Sequence, residues 1–233
     1  VDRDIPFSPG AAWRIAWPIA IVMIGIAALV VTATLADSLG ASEDSVSAIG
    51  AFVGSGIILL GGLALIRVLP PAQRRVALAT KGRTWATAWI GFGIGLACIV
   101  GSAMIITVGI QLDPGAERAL EDLDVSVGSV WWQTVLVVIA LVVFAPIGEE
   151  ILFRGLALRG LVRLMPFALA APVSGLLFTA AHLDAWLIWP RAAALVLVGW
   201  ALAWLYRWRG MLAAVVAHGT VNAVAAVALI AQA

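Results

Sequence analysis

Six side chains in the C-terminal half of the chain are of types that do chemistry together: Glu149, Glu150, Arg154, His182, His218 and Asn222. Glu149 and Glu150 follow an uninterrupted apolar run in Phe144-Ala-Pro-Ile-Gly-Glu-Glu-Ile-Leu-Phe-Arg-Gly155, and the only two histidines lie in Phe178-Thr-Ala-Ala-His182 and His218-Gly-Thr-Val-Asn222. Ionisable groups within apolar segments are costly and face a cavity or a partner, so each is a functional candidate. Glu150 and Arg154 stand four apart on one helix face, where an ion pair would hold Glu150 ionised and fixed. Glu149 is turned about 100° away and stays free to accept a proton from a water placed before it, the work of a general base. His218 and Asn222, again four apart, can aim an imidazole and an amide at one small volume, and the amide is a natural donor to a developing oxyanion.

Blander readings exist for each group alone. A Glu-Glu pair followed by Arg also suits a solvated helix end, and a lone intramembrane histidine is more often a hydrogen-bonded packing residue. The coincidence favours a site, because both histidines, the carboxylates and Asn222 fall within 74 residues on three apolar segments. Arg159 and Arg163 read as topology charges, and Asp184 and Arg191 as outer-loop residues.

The elements that must position these groups are membrane helices. With 233 residues, 63% of them hydrophobic and 12% charged, and a mean hydropathy of +1.08, the chain is too apolar for a soluble domain. Charge-free runs cover Ile15 to Ala36, Ser45 to Ile66, Thr84 to Leu112, Val125 to Gly148, Leu164 to Ala181, Ala192 to Tyr206 and Gly210 to Ala233. A span needs about 20 apolar residues, so the expected fold is an all-α polytopic bundle of about seven spans. The sixth run has 15 residues, about 22 Å of helix, short for a hydrocarbon core of about 30 Å unless it borrows from Trp186 to Arg191. The net charge of +1 excludes a broad nucleic-acid surface. Disordered and disulfide-stapled classes are excluded as well, and the single cysteine, Cys98, reads as a packing residue.

Topology follows from charge. The connection between the second and third runs carries Arg67, Arg74, Arg75, Lys81 and Arg83 with no acid, which predicts a cytoplasmic loop. The flanking connections carry Asp37, Glu43 and Asp44, and Asp113, Glu117, Glu121, Asp122 and Asp124, with Arg118 their only base. Seven spans threaded from an inside N-terminus leave only Arg118 and Arg191 outside among 14 basic residues. An uncleaved first helix is expected, its 22-residue apolar run exceeding a signal-peptide core. Tryptophan pairs at 13 and 17, 85 and 89, 131 and 132, and 186 and 189 flank the expected span ends, where indoles favour the headgroup level. Trp200, Trp204 and Trp208 form a packing or interfacial stripe. Gly61 and Gly62, and Gly91, Gly93 and Gly95, suit close helix packing.

Taken together, Glu149-Glu150-x-x-x-Arg154, Phe178-x-x-x-His182 and His218-x-x-x-Asn222 resemble the three-motif signature of the CPBP intramembrane proteases, the type II CAAX prenyl protease and bacteriocin-processing (ABI) family. The resemblance covers roughly Trp131 to Ala225. It implies a membrane endopeptidase in which Glu149 activates water, His182 assists, His218 and Asn222 stabilise the tetrahedral oxyanion, and Glu150 and Arg154 shape the site. Residues 131–233 would form the catalytic region and 1–130 the N-terminal spans of the same bundle. Such families are classed as metalloproteases, and Glu149, His182 and His218 offer a carboxylate and two imidazoles to zinc. A metal-free glutamate mechanism fits the same residues, and both stay open.

The implied substrate is a membrane-associated peptide or protein, with the lipid bilayer as the other partner and no nucleic acid. The Arg-over-Lys bias of 13 to 1 in an Ala-rich chain suggests a GC-rich bacterial genome, and so a bacterial inner membrane. Competing functions are a non-catalytic peptide-binding membrane partner and a bis-histidine haem or proton carrier. Straight helices raise one difficulty, since they would put Glu149 near the inner face and His182 near the outer one. Pro146 and Gly148 before the carboxylates therefore predict a broken or tilted fourth helix, with a polar cavity opening toward the cytoplasmic half.

Overall fold

The computed structural model describes residues 10–121 and 130–231, with Glu121 and Asp184 described by their backbone only. Asp122, Asp124 and the start of the run at Val125 lie outside the described residues. The elements are α1 (Ala11–Ser38), α2 (Glu43–Val68), a short α3 (Pro71–Ala77), α4 (Thr84–Leu112), a short α5 (Pro114–Glu121), α6 (Trp131–Leu161), α7 (Phe167–Ala180), a 3₁₀ turn (Leu183–Leu187), α8 (Trp189–Arg209) and α9 (Met211–Ile230). The fold is an all-α polytopic bundle, and α1, α2, α4, α6, α8 and α9 are each long and apolar enough to cross a bilayer.

Local chemistry sets the helix ends. Ser42 caps α2 by accepting from the Ser45 amide, and Glu43 and Asp44 occupy its first turn, where acids suit the positive end of the helix dipole. Gly210, at φ 86°, separates α8 from α9 in a conformation that side chains rarely adopt. A Cβ at Gly210 would also lie 2.0 Å from the Ala79 carbonyl oxygen. That close approach lets Met211 N–H donate to Ala79 and Lys81 N–H donate to Arg209, docking the α3–α4 connection on the α8–α9 corner.

The short element is the fifth run rather than the sixth. α8 has 21 residues, because Trp189-Pro190-Arg191 begins it and Arg207 to Arg209 extend it beyond the charge-free stretch. α7 has only 14 residues, trimmed by Pro166 at its start and by the 3₁₀ turn after His182. At 1.5 Å per residue α7 is about 21 Å long, so His182 ends it short of a full crossing. The fourth run does not stop at Gly148 either. α6 continues through both glutamates to Leu161, and its interruption takes the form of two π-helical stretches, Ile139–Phe144 and Ile151–Leu158, rather than a chain break. Glu149 therefore lies 12 residues inside the end of α6, about 18 Å along the axis. The depth difficulty raised by straight, full-length spans is removed from both sides.

Small residues set how closely the helices approach. A Cβ on Gly91 or Gly95 of α4 would lie 2.6 or 2.7 Å from backbone oxygens of α9, one on Gly148 would lie 2.7 Å from the Leu59 nitrogen of α2, and Gly175 of α7 touches Gly199 of α8. Gly61 and Gly62 also sit in helix contacts, whereas Gly93 has no neighbour within 4 Å. A hydrophobic cluster runs from Val22, Ile66 and Leu69 to Phe153, Leu156, Phe178, Ala203 and Met211, so one core joins the N-terminal helices to the motif-bearing ones. Buried Cys98 packs with Val198, Leu202, Ala213 and Ala217. Trp200, Trp204 and Trp208 are exposed along α8, with Trp204 edge-on to Phe167.

Basic residues collect at one end of the bundle. Buried Arg14 donates to Gln73 of α3, the Tyr206 hydroxyl donates to Ala77, and Lys81 Nζ donates to the Arg207 carbonyl. At the opposite end Trp189 Nε1 donates to Asp113.

Candidate active site

Helical spacing correctly anticipates the first contact. Arg154 Nη1 lies 3.0 Å from Glu150 Oε1, and both side chains are fully buried. A second tie comes from α8, where Arg154 Nη2 donates to the Gly199 carbonyl at 3.0 Å. The guanidinium also stands 4.7 Å from the Phe178 ring centre, and a buried cation over an aromatic face is favourable. Arg154 thus links α6, α7 and α8 around one charge.

Glu150 in turn holds a histidine. His218 Nδ1, on α9, donates to Glu150 Oε1 at 3.0 Å, which leaves Nε2 turned toward Glu149. His218 Nε2 and Glu149 Oε2 are 3.9 Å apart, too far for a good hydrogen bond but close enough for one oxygen atom to stand within reach of both. Glu149 is 9% exposed, and its Oε2 has no hydrogen-bond partner. A buried carboxylate oxygen without a partner beside an oriented imidazole marks Glu149 as a functional candidate.

His182 reaches the cluster through Phe178. Its Nδ1 donates to the Phe178 carbonyl at 3.0 Å, and the Phe178 ring packs against His182 at 4.9 Å and His218 at 5.4 Å between ring centres. Each histidine therefore has Nδ1 committed to an oxygen and presents Nε2 for chemistry. Phe178, fully buried, is a residue that the sequence motif Phe178-x-x-x-His182 names without giving it a role. Its position four before His182 was the available signal.

Asn222 departs from the sequence expectation. Its Nδ2 donates to the Leu141 carbonyl of α6 at 2.8 Å, which commits the amide donor that the oxyanion role would use. The reason lies in the backbone. Within the π-helical stretch Ala145 N–H bonds to Ala140, five residues back, so the next donor to serve Leu141 would be residue 146. Residue 146 is proline and has no N–H. The Asn222 amide supplies the missing donor.

Zinc finds no ligand set in this arrangement. Among the described residues no group of three or more His, Cys, Asp and Glu side chains is placed to hold a metal ion. His218 is spanned between two carboxylates and His182 packs against Phe178, and Glu149, His182 and His218 form no such group.

The fold and these contacts define an integral-membrane helical bundle with a buried carboxylate–imidazole–guanidinium cluster. Residues 131–224 match the model of the family described as type II CAAX prenyl endopeptidase Rce1-like, over the same stretch that carries the three motifs. No curated protein and no solved structure matches the chain.

Proposed function

We propose that the chain is an intramembrane endopeptidase that hydrolyses a peptide bond in a membrane-associated peptide or protein. The observation that carries this reading is the 3.9 Å gap between the unsatisfied Glu149 Oε2 and His218 Nε2, held by the Arg154–Glu150–His218 relay. Water in that gap would give a proton to Glu149 as it attacks the scissile carbonyl, and protonated Glu149 would return it to the leaving amine. His182 and His218, each with Nδ1–H held by an oxygen, would donate to the tetrahedral oxyanion through Nε2 only as doubly protonated imidazolium rings. Glu150 and Arg154 orient His218 without touching substrate. Asn222 holds α6 against α9, and so sets the distance between Glu149 and His218. The donor geometry supports a metal-free glutamate mechanism, and no step is assigned to zinc.

The test compares protein termini in membranes from cells expressing wild type or Glu149→Gln at equal levels, with the natural host's membrane proteins present. The expected result is a set of termini seen only with wild type. Identical termini, with the variant folded and inserted, would transfer the assignment to a non-catalytic peptide-binding partner.

A further inference from the structure

Beyond the carboxylate cluster, at the basic end of the bundle, lies a cavity of about 560 Å³ whose lining includes Arg75, Lys81, Arg159 and Arg207 and no acid. The rest of its wall is largely apolar, with Val76, Val162, Met165 and Phe167 prominent. Three parts of the chain far apart in sequence build it: α3 with the connection that follows it, the end of α6 with the turn into α7, and the end of α8. Two of its cations are held in place. Arg207 stands 4.2 Å over the Phe167 ring, and Lys81 Nζ donates to the Arg207 carbonyl. Capping of α8 accounts for Lys81, but it does not account for Arg75, exposed on a different element, facing the same cavity.

We infer that this cavity binds the headgroup of an anionic phospholipid. The charge is complementary to phosphate, and the cavity lies at the ends of membrane helices, where headgroups are found. The lining is that of an amphiphile site rather than a free-anion site. Val76, Val162 and the adjoining Leu164 are exposed apolar residues beside the cations, placed to meet acyl chains while the guanidinium groups meet phosphate. Anionic lipids of the cytoplasmic leaflet attract basic segments at this depth, and a cavity concentrates that attraction at one site. The site is separate from Glu149 and His218, and it does not depend on the endopeptidase reading.

Purified full-length protein is delipidated in neutral detergent, and retention of phosphatidylglycerol against phosphatidylcholine is read by native mass spectrometry. Wild type is expected to keep one phosphatidylglycerol preferentially. Arg75→Gln and Arg207→Gln should each weaken that binding about fivefold, while Arg207→Lys largely preserves it and Arg83→Gln, an exposed change outside the lining, leaves it unaltered. Should Arg207→Gln fail to fold, Arg75→Gln at an exposed position of a short helix carries the comparison. Equal retention of the two lipids, or equal effects of Arg75→Gln and Arg83→Gln, overturns the proposal. Displacement by glycerol phosphate at the same concentration as the lipid would show a soluble-anion site instead. Displacement by a short peptide with a free C-terminal carboxylate, but not by its amide, would show a peptide-terminus site.

Discussion

Three buried side chains, Glu150, Arg154 and His218, are bonded to one another, and Glu149 stands beside them. Glu150 is wholly buried between a guanidinium and an imidazole, so removing either partner strands a charge in an apolar setting. Arg154→Ala is expected to destabilise the protein by about 3–5 kcal/mol, seen as a lowered thermal midpoint in detergent and loss of activity together. Glu149→Gln should behave differently, because Glu149 is bonded to neither Arg154 nor Glu150 and the amide is isosteric. Its expected signature is a thermal midpoint close to wild type with proteolysis reduced about 10²- to 10⁴-fold. If both variants lost stability equally, Glu149 would be a structural member of the cluster rather than its reactive one.

At the scale of elements, α6 is built to keep its glutamates in register with α9. The π-helical stretch before Pro146 leaves the Leu141 carbonyl without its backbone donor, and Asn222 fills the vacancy. Asn222→Ala should therefore lower stability by about 1 kcal/mol and impair activity through the altered Glu149–His218 distance. Pro146→Ala restores an N–H at the required position, so the double variant Asn222→Ala/Pro146→Ala should recover stability and part of the activity. A double-mutant cycle reads this directly. Full recovery of stability with no recovery of activity would return Asn222 to the oxyanion role that the family resemblance implies. Gly148 provides a second test of register. A Cβ there meets the Leu59 backbone at 2.7 Å, so Gly148→Ala must push α6 from α2, with an expected loss of about 1–3 kcal/mol. The measurement is the thermal midpoint of the purified variant beside wild type.

For the whole molecule, charge sorting and tertiary contacts agree on one basic end. Arg14, the α3–α4 connection, the end of α6 and the α8–α9 corner meet there through the Arg14–Gln73, Tyr206–Ala77 and Lys81–Arg207 bonds. The positive-inside rule predicts a cytoplasmic position for this end, and for the basic cavity with it. Cysteines introduced at exposed Arg83 and Glu117 should be labelled by a membrane-impermeant maleimide only after lysis and in intact cells, respectively. Buried Cys98 provides the unlabelled background. The reverse pattern would invert the topology.

The amino-acid sequence by itself determined the membrane bundle, most helix positions, the charge-sorted ends and the Glu150–Arg154 pair. Each of these depends on the length of an apolar run, on loop charge, or on the 3.6-residue period that makes residues four apart neighbours. It also marked Glu149, His182 and His218 as exceptions to the apolar rule, and the order of their motifs was legible without any contact. Tertiary structure alone decided what those exceptions touch. His218 meets Glu150 across 68 positions, Arg154 meets Gly199 across 45 and Asn222 meets Leu141 across 81. Contacts of that separation rest on how closely glycine faces let helices approach, on where α7 stops, and on how π-helical turns rotate the faces beyond them. A π-helical turn leaves little mark in composition, and the same proline that predicted a broken helix is accommodated within a continuous one because an amide from another helix replaces the donor that proline lacks.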